Sequence, residues 1–104
     1  MIRIEFSEVS GEITGFVCKG HSGLVESGDD ILCAFVSSAC FMTANTITDV
    51  IKLEADAAST DGYMRLQIKG SPTPAQDILR GLLFHMNELQ KEYRDNIKVT
   101  ISEV

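Results

Sequence analysis

Apolar and polar residues alternate in four short segments of the chain, a pattern typical of strands with one buried face. In the first segment, Ile2, Ile4 and Phe6 fall on the same face. The triplet Ser10-Gly11-Glu12 predicts a turn, so the first two strands are expected to form a hairpin. The four predicted strands cover residues 1–9, 13–19, 63–69 and 97–104.

Two further segments carry apolar residues at helical spacing. The first, from about residue 30 to 53, is apolar on every side, which predicts a helix enclosed on most of its faces. In the second, we expect Thr73 as the N-cap, Pro74 as the first helical residue and Gln76 as the residue that closes a capping box. The apolar residues that define one face of this second helix are Ala75, Ile78, Leu79, Leu82, Leu83, Met86, Leu89 and Tyr93.

The predicted order of elements is ββαβαβ, with residues 55–62 as a connection and Asp61-Gly62 as its turn. This order predicts an α+β domain in which two helices cover a mostly antiparallel sheet. At 104 residues, the chain is expected to form a single domain over 1–104. One other helix cannot cover every apolar side of the first, so the spare face predicts a subunit interface.

The charge balance limits the classes of partner. The chain has 9 Lys and Arg against 15 Asp and Glu, a formal charge of −6. Because nucleic-acid binding normally needs a basic face and no Lys/Arg cluster occurs along the sequence, we expect no direct nucleic-acid partner. A basic protein or peptide would be attracted to such a chain, although mild acidity also serves solubility alone.

Neither a targeting segment nor a metal motif is evident. The N-terminus has no signal-peptide core, and the longest apolar stretch, 31–42, is too short to span a membrane, so a cytoplasmic protein is expected. Cys18, Cys33 and Cys40 have no CxxC spacing, which argues against a disulfide framework. Cys33 and Cys40 are separated by about 10 Å of helical rise, too far to share one zinc ion. We expect no metal and no cofactor.

A glycine-rich segment lies between the second strand and the first helix. It contains a histidine near its beginning, and a cysteine follows it. The segment begins Gly20-His21-Ser22-Gly23 and ends Gly28-Asp29-Asp30, and Cys33 follows one turn into the helix. A thiol there lies near free backbone N–H groups and the positive end of the helix dipole, which lower the pKa of a cysteine. With His21 as base and then acid, the pair predicts a cysteine hydrolase whose helix-start N–H groups form the oxyanion hole.

Two neighbouring polar residues each have two interpretations. Asp30 either caps the helix or orients the imidazole of His21, and the cap is favoured. Ser37 lies four residues after Cys33, where it either contacts the site or bonds back to its own helix.

Three other residues are expected to have structural roles. Cys18 and Cys40 are assigned to the core as small apolar groups, an interpretation that also has to be weighed for Cys33. His85 is expected on a packed face of the second helix.

A set of residues spread over essentially the whole chain forms a further pattern: Gly20-His21, Gly28, Asp30-Ile31-Leu32-Cys33-Ala34, Ser37, Asn45, Asp61-Gly62-Tyr63 and Glu92-Tyr93-Arg94-Asp95-Asn96-Ile97. This pattern resembles the ribosomal-processing cysteine protease (Prp) family. The resemblance implies a cytoplasmic, homodimeric bacterial protease that removes a short N-terminal extension from large-ribosomal-subunit protein 27, a basic substrate.

By motif position, the resemblance implies His21 and Cys33 as the catalytic pair, with Asp30 and Ser37 in supporting roles. It also implies that residues 22–29 form a flexible substrate gate. The gate residues that we single out are Ser22, Gly23, Gly28 and Asp29.

Three residues of the first helix depart from the family pattern. Phe35 replaces a small Gly or Ala, and Cys40 and Met42 replace small or aliphatic residues. A bulky Phe35 is expected to reshape either the substrate pocket or the dimer seam.

Two other functions compete with a protease. A non-catalytic, dimeric ribosome-associated binding protein would use Cys33 only structurally, and thiol reactivity distinguishes it from an enzyme. A redox sensor would need a resolving thiol, and neither Cys18 nor Cys40 is obviously placed for that role.

Overall fold

The structure is a computed structural model that describes residues 1–20 and 31–104. Within these ranges the chain forms five strands and two α-helices, which confirms the α+β class. The elements are β1 (Ile2–Val9), β2 (Glu12–Lys19), α1 (Ile31–Asn45), β3 (Ala55–Thr60), β4 (Tyr63–Ile68), α2 (Gln76–Glu92) and β5 (Ile97–Glu103).

The five strands form one sheet in the order β3-β4-β2-β1-β5. Three neighbouring pairs are antiparallel and β1 pairs with β5 in parallel, so the mostly antiparallel sheet is confirmed. A two-residue turn joins β1 to β2, as predicted. Its residues Ser10 and Gly11 have φ angles of 51° and 82°, the left-handed pair that a type I′ hairpin turn requires.

Strand β3 corrects the prediction that residues 55–62 are a connection. Its sequence Ala-Asp-Ala-Ala-Ser-Thr has no large apolar side chain and contains residues that are depleted in strands. It is nevertheless held in register along β4, from Ala55 opposite Ile68 to Thr60 opposite Tyr63. As an edge strand that is mostly exposed, β3 needs no alternating pattern, and so the sequence carried no signal for it.

Both helices pack on one face of the sheet, as predicted, and they enclose the core there. The sheet contributes alternate side chains such as Ile4, Phe6 and Phe16 to this core. The buried residues of the helices are Leu32, Val36, Cys40, Thr43 and Ala44 from α1 and Leu79, Leu82, Met86 and Leu89 from α2.

The first helix differs from the single helix expected as far as residue 53. After α1 the chain continues as a π-helical turn over Thr46–Val50. The hydroxyls of Thr43, Thr46 and Thr48 donate to carbonyls four residues back, a bonding pattern that bends helices. Lys52 then adopts a left-handed φ of 65°, which ends the helix.

The combined helical segment Ile31–Val50 spans 20 residues and is long and apolar enough to cross a membrane, contrary to the sequence-based expectation. That expectation rests on the apolar stretch 31–42, which is only the first part of this helical segment. One side of this segment, including Leu32, Val36 and Ile47, is buried against the sheet and α2. We therefore interpret it as the core helix of the fold.

The beginning of α2 corrects the predicted capping box. A 3-10 turn over Thr73–Ala75, which contains Pro74, precedes the helix. Instead of capping α2, the Thr73 hydroxyl donates to Glu12 Oε2 at 2.7 Å. The Gln76 side chain likewise reaches β2, where it bonds the backbone of Ile13. Both polar side chains thus connect α2 to the β1–β2 hairpin.

Candidate active site

Cys33 lies in the first turn of α1, as predicted, as the third residue of the helix. Backbone N–H groups in the first turn of a helix have no partner within the helix, and the helix dipole is positive at this end. The Cys33 side chain is half-buried and packs against the core while it also lines a surface cleft. The side chain thus borders both the core and the cleft.

The cleft beside Cys33 has a volume of about 70 Å³ and lies between α1 and one end of the sheet. Ser37 and Phe41 extend its helical wall along α1. The opposite wall comes from the β3–β4 hairpin, through Ser59, Thr60 and Tyr63. The remaining lining residues, which close the cleft toward the core and at its rim, are Ile2, Cys18, Gly20, Val36, Cys40, Gly62 and Met64.

Gly20, the last described residue before His21, is fixed at this cleft. Its φ of 98° favours glycine, and its N–H donates to the Gly62 carbonyl at 2.9 Å. A Cβ atom at this position would collide with the carbonyl oxygen of Met1. The backbone of β2 therefore leaves the sheet at a defined place on the rim of the cleft that contains Cys33.

Several predicted site residues lie outside the described part of the chain. They are His21, Ser22, Gly23, Gly28, Asp29 and Asp30. The geometry of the proposed pair His21 and Cys33, and the choice between capping and orienting for Asp30, therefore stay predictions. Ser37 is described, and it lines the same cleft as Cys33, in agreement with the four-residue spacing.

Cys18 and Cys40 pack into the core, as expected, but the structure also brings their thiols together. The two thiols interact across the interface between β2 and α1. Interaction with Cys18, together with burial, raises the pKa of the Cys40 thiol well above its usual range. Interaction with Cys40 lowers the pKa of Cys18. Strand register and helix phase together create this contact, which no local sequence pattern predicts.

All three cysteines line the same cleft. Whether Cys18 or Cys40 could serve as a resolving thiol for Cys33 stays a prediction. Within residues 1–20 and 31–104, no group of three or more His, Cys, Asp or Glu side chains is arranged to hold a metal ion.

The outer face of α1 carries a second, shallow apolar surface. Phe35 and Met42 are 45% and 54% exposed and form this surface together with Ala34, Ser38, Ala39, His85 and Leu89. Phe35 is absent from the lining of the cleft at Cys33. His85 is exposed, so its expected packed position is wrong: the buried stripe of α2 runs through Leu82, Met86 and Leu89.

Comparison with known proteins agrees with this geometry. A family model described as "Cysteine protease Prp" matches residues 1–98. The ribosomal processing cysteine protease Prp of Bacillus subtilis (strain 168) is 27% identical over 95 residues, which cover 85% of each chain.

Two crystal structures of the essential ribosomal processing protease Prp from S. aureus have the same fold. One holds a covalently linked product peptide; it is 26% identical and has a TM-score of 0.89. The other holds a substrate peptide; it is 25% identical and has a TM-score of 0.85. Each comparison covers 98% of this chain and 100% of the other. With its thiol at the start of α1 and its sequence matched almost throughout, the chain belongs to the Prp family of ribosomal processing cysteine proteases.

Proposed function

We propose that this protease removes the N-terminal extension of large-ribosomal-subunit protein 27 through an acyl-enzyme on Cys33. The observation that carries the proposal is the position of Cys33, which lies in the first turn of α1 and lines a surface cleft. The covalently linked product peptide in the S. aureus relative supports chemistry that passes through a bond to the enzyme.

In the proposed mechanism, His21 takes the proton of the Cys33 thiol, and the resulting thiolate attacks the carbonyl carbon of the scissile peptide bond. The carbonyl oxygen gains negative charge, and backbone N–H groups at the start of α1 stabilise it. The C–N bond then breaks, and His21 gives its proton to the leaving amine. A water molecule next loses a proton to His21 and attacks the thioester, which breaks the S–C bond and regenerates the thiolate.

The position of Gly20 supports the assignment of His21 as the proton carrier. Gly20, which directly precedes His21 in the sequence, lines the cleft that contains Cys33 and is held there by the Gly62 carbonyl. Substrate binding is expected to bring the imidazole to Cys33, because catalytic hydrogen bonds tighten in the complex. Asp30 would cap α1 or orient His21, and Ser37 would offer a hydroxyl to the bound peptide.

We further propose that the enzyme acts in the cytoplasm as a homodimer. The outer face of α1, with Phe35 and Met42, exposes apolar side chains next to His85 of α2. An exposed apolar patch of this kind is typical of a protein–protein interface. Phe35 would then act at the dimer seam and not in the substrate pocket.

The experiment is intact-mass spectrometry of the organism's own full-length protein 27 after incubation with the enzyme. Parallel reactions use Cys33→Ala and Asn87→Ala, the latter at an exposed position on α2 that lines neither the cleft nor the apolar surface. One cut near the substrate N-terminus by the wild type and Asn87→Ala, and none by Cys33→Ala, would establish the proposal. Cleavage by Cys33→Ala would contradict the mechanism.

The competing binding function predicts a different result. An intact substrate that co-purifies with the wild-type protein would favour a non-catalytic ribosome-associated protein. An intact and unbound substrate would show that the target is another protein.

A further inference from the structure

The sheet has an open face, opposite the core, whose side chains remain exposed. In β1, Ile2, Ile4 and Phe6 point into the core, whereas Arg3 and Glu5 alternate with them on the open face. The same alternation places Val17 and Lys19 of β2 on the open face, because their partners in β1 are Glu5 and Arg3.

Three cations stand side by side across this open face. Arg3 of β1 lies directly opposite Lys19 of β2 and directly opposite Lys98 of β5. Tyr63 of β4 continues the line on the other side of Lys19. We call Lys19, Arg3 and Lys98 the basic row; it crosses three adjacent strands at the end of the sheet where Gly20 and Tyr63 border the cleft.

The basic row concentrates positive charge on a protein whose formal charge is −6. Arg65 lies two residues further along β4, opposite Val17, and joins Arg3, Lys19 and Lys98 on this face. Glu5 lies beside the basic row, and Asp56 of β3 lies on the same face opposite Gln67. The ion pairs in the described part of the chain involve other cations, namely Lys69, Arg80 and Lys91.

This arrangement has an energetic cost in the isolated protein. Like charges directly opposite each other on neighbouring strands destabilise a sheet, and Arg3 has such a neighbour on both sides. A bound polyanion would relieve this repulsion. The local charge thus points to a partner and does not serve the stability of the fold.

We propose that the basic row binds the phosphate backbone of single-stranded RNA, with the exposed Tyr63 ring stacking on a base. Strand spacing puts neighbouring cations about 5 Å apart in a line, which suits a chain of phosphates. Tyr63 is 38% exposed, and base stacking on aromatic rings is a common element of single-stranded RNA binding. The choice of RNA as the polyanion rests on the family's ribosomal processing function.

Other occupants fit this face less well. A second copy related by a two-fold axis would bring one basic row against another. A membrane surface would need several apolar side chains beside the cations. The groove along the basic row is lined by one apolar residue, Val17. An acidic peptide is the remaining competitor, and the test below includes it.

The test measures fluorescence anisotropy of a labelled 20-nucleotide oligouridine titrated with the full chain. The variant is Arg3→Gln/Lys19→Gln/Lys98→Gln, and the control is Lys52→Gln/Lys69→Gln/Arg80→Gln, which has the same net charge but leaves the basic row intact. Three phosphate contacts on a single strand predict roughly a 20-fold loss of wild-type affinity between 50 and 200 mM salt. At 50 mM salt the basic-row variant should bind at least tenfold more weakly than wild type, and the control within about twofold.

Three results would overturn the proposal: no salt-dependent binding by the wild type, an equal loss in the control, or equally tight binding of a polyglutamate peptide. Circular dichroism checks that both variants are folded. Cleavage of a short peptide from the substrate N-terminus is measured on the same samples. This readout separates the proposals, since the basic-row variant should cleave the short peptide normally even if RNA binding is lost, and failure of the protease proposal would leave RNA binding unchanged.

Discussion

Gln76, the first residue of α2, hydrogen bonds both backbone groups of Ile13 in β2. Its Nε2 donates to the Ile13 carbonyl at 2.8 Å, and its Oε1 accepts from the Ile13 N–H at 2.8 Å. The Gln76 amide therefore pairs with the backbone of Ile13 as a neighbouring strand would. The Ile13 side chain itself is fully buried. The helix and the hairpin are joined at this point.

Removing this contact should destabilise the fold. Gln76→Ala leaves both part-buried groups of Ile13 without their partner, and we expect a loss of about 2 kcal/mol in the free energy of unfolding. Gln90→Ala is the matched control, because Gln90 accepts a single bond, from the Val99 N–H at 2.6 Å. Urea unfolding curves measure both variants. A smaller loss for Gln76→Ala than for Gln90→Ala would contradict this account.

Substitution of Gly20 should impair catalysis as well as stability. In Gly20→Ala, the new Cβ meets the Met1 carbonyl in a left-handed backbone conformation, so the backbone on the cleft rim must shift. We expect kcat/KM for peptide cleavage to fall at least tenfold, because the displaced segment continues into His21.

Gly81→Ala is the control for this prediction. Gly81 is exposed in α2, and a Cβ there meets nothing within 4 Å. This control should keep full activity and gain up to about 1 kcal/mol of stability from better helix propensity. Unchanged activity in Gly20→Ala would argue that the cleft rim does not position His21.

The raised pKa of Cys40 predicts a loss of stability at alkaline pH. In the folded protein the Cys40 thiol stays protonated above pH 9.0, the ordinary cysteine pKa, whereas in the unfolded chain it ionises. The unfolded state then binds fewer protons, so the free energy of unfolding should fall by up to about 1.4 kcal/mol per pH unit above that value. The lowered pKa of Cys18 acts below the same value and does not alter this window.

Chemical denaturation between pH 8 and 10.5 measures the effect in the wild type and in Cys40→Ala. Lysine and tyrosine titration contributes equally to both slopes, so the difference between them reports the Cys18–Cys40 pair. Parallel slopes above pH 9 would show that Cys40 ionises as readily in the folded protein as in the unfolded chain.

A charge on the outer face of α1 should dissociate the proposed dimer. In Phe35→Asp, a carboxylate replaces an apolar side chain at the proposed seam, and we expect at least a tenfold weaker dimer by sedimentation velocity. Phe84→Asp is the control, since Phe84 is 67% exposed on α2 and does not line the apolar surface. If both variants associate like the wild type, the seam lies elsewhere.

The parts of the fold that sequence predicts are those with a local signal. Alternation such as Ile2, Ile4 and Phe6 identifies β1, and the same pattern identifies β2, β4 and β5. The edge strand β3 lacks this signal because few of its side chains are buried. Cys33 at a helix start is likewise a local feature, so its place was predicted correctly.

Features that depend on tertiary contacts cannot be predicted from local sequence patterns. Thr73 and Gln76 fit a capping box in sequence, but the hairpin beside them offers better partners. The expectation of no direct nucleic-acid partner rests on the lack of a Lys/Arg cluster along the sequence. Arg3, Lys19 and Lys98 are far apart along the chain, and strand register alone makes them neighbours.

The parallel pairing of β1 with β5 governs when the enzyme can become active during its synthesis. Residues 2–8 pair with residues 97–103, so the sheet joins segments from opposite ends of the sequence. Such long-range pairing slows folding, since a long loop must close before the contacts form. Ile2 lines the cleft, and it gains its neighbour Ile97 only when β5 pairs with β1. A nascent chain on the ribosome therefore carries an unfinished protease until its last strand has emerged.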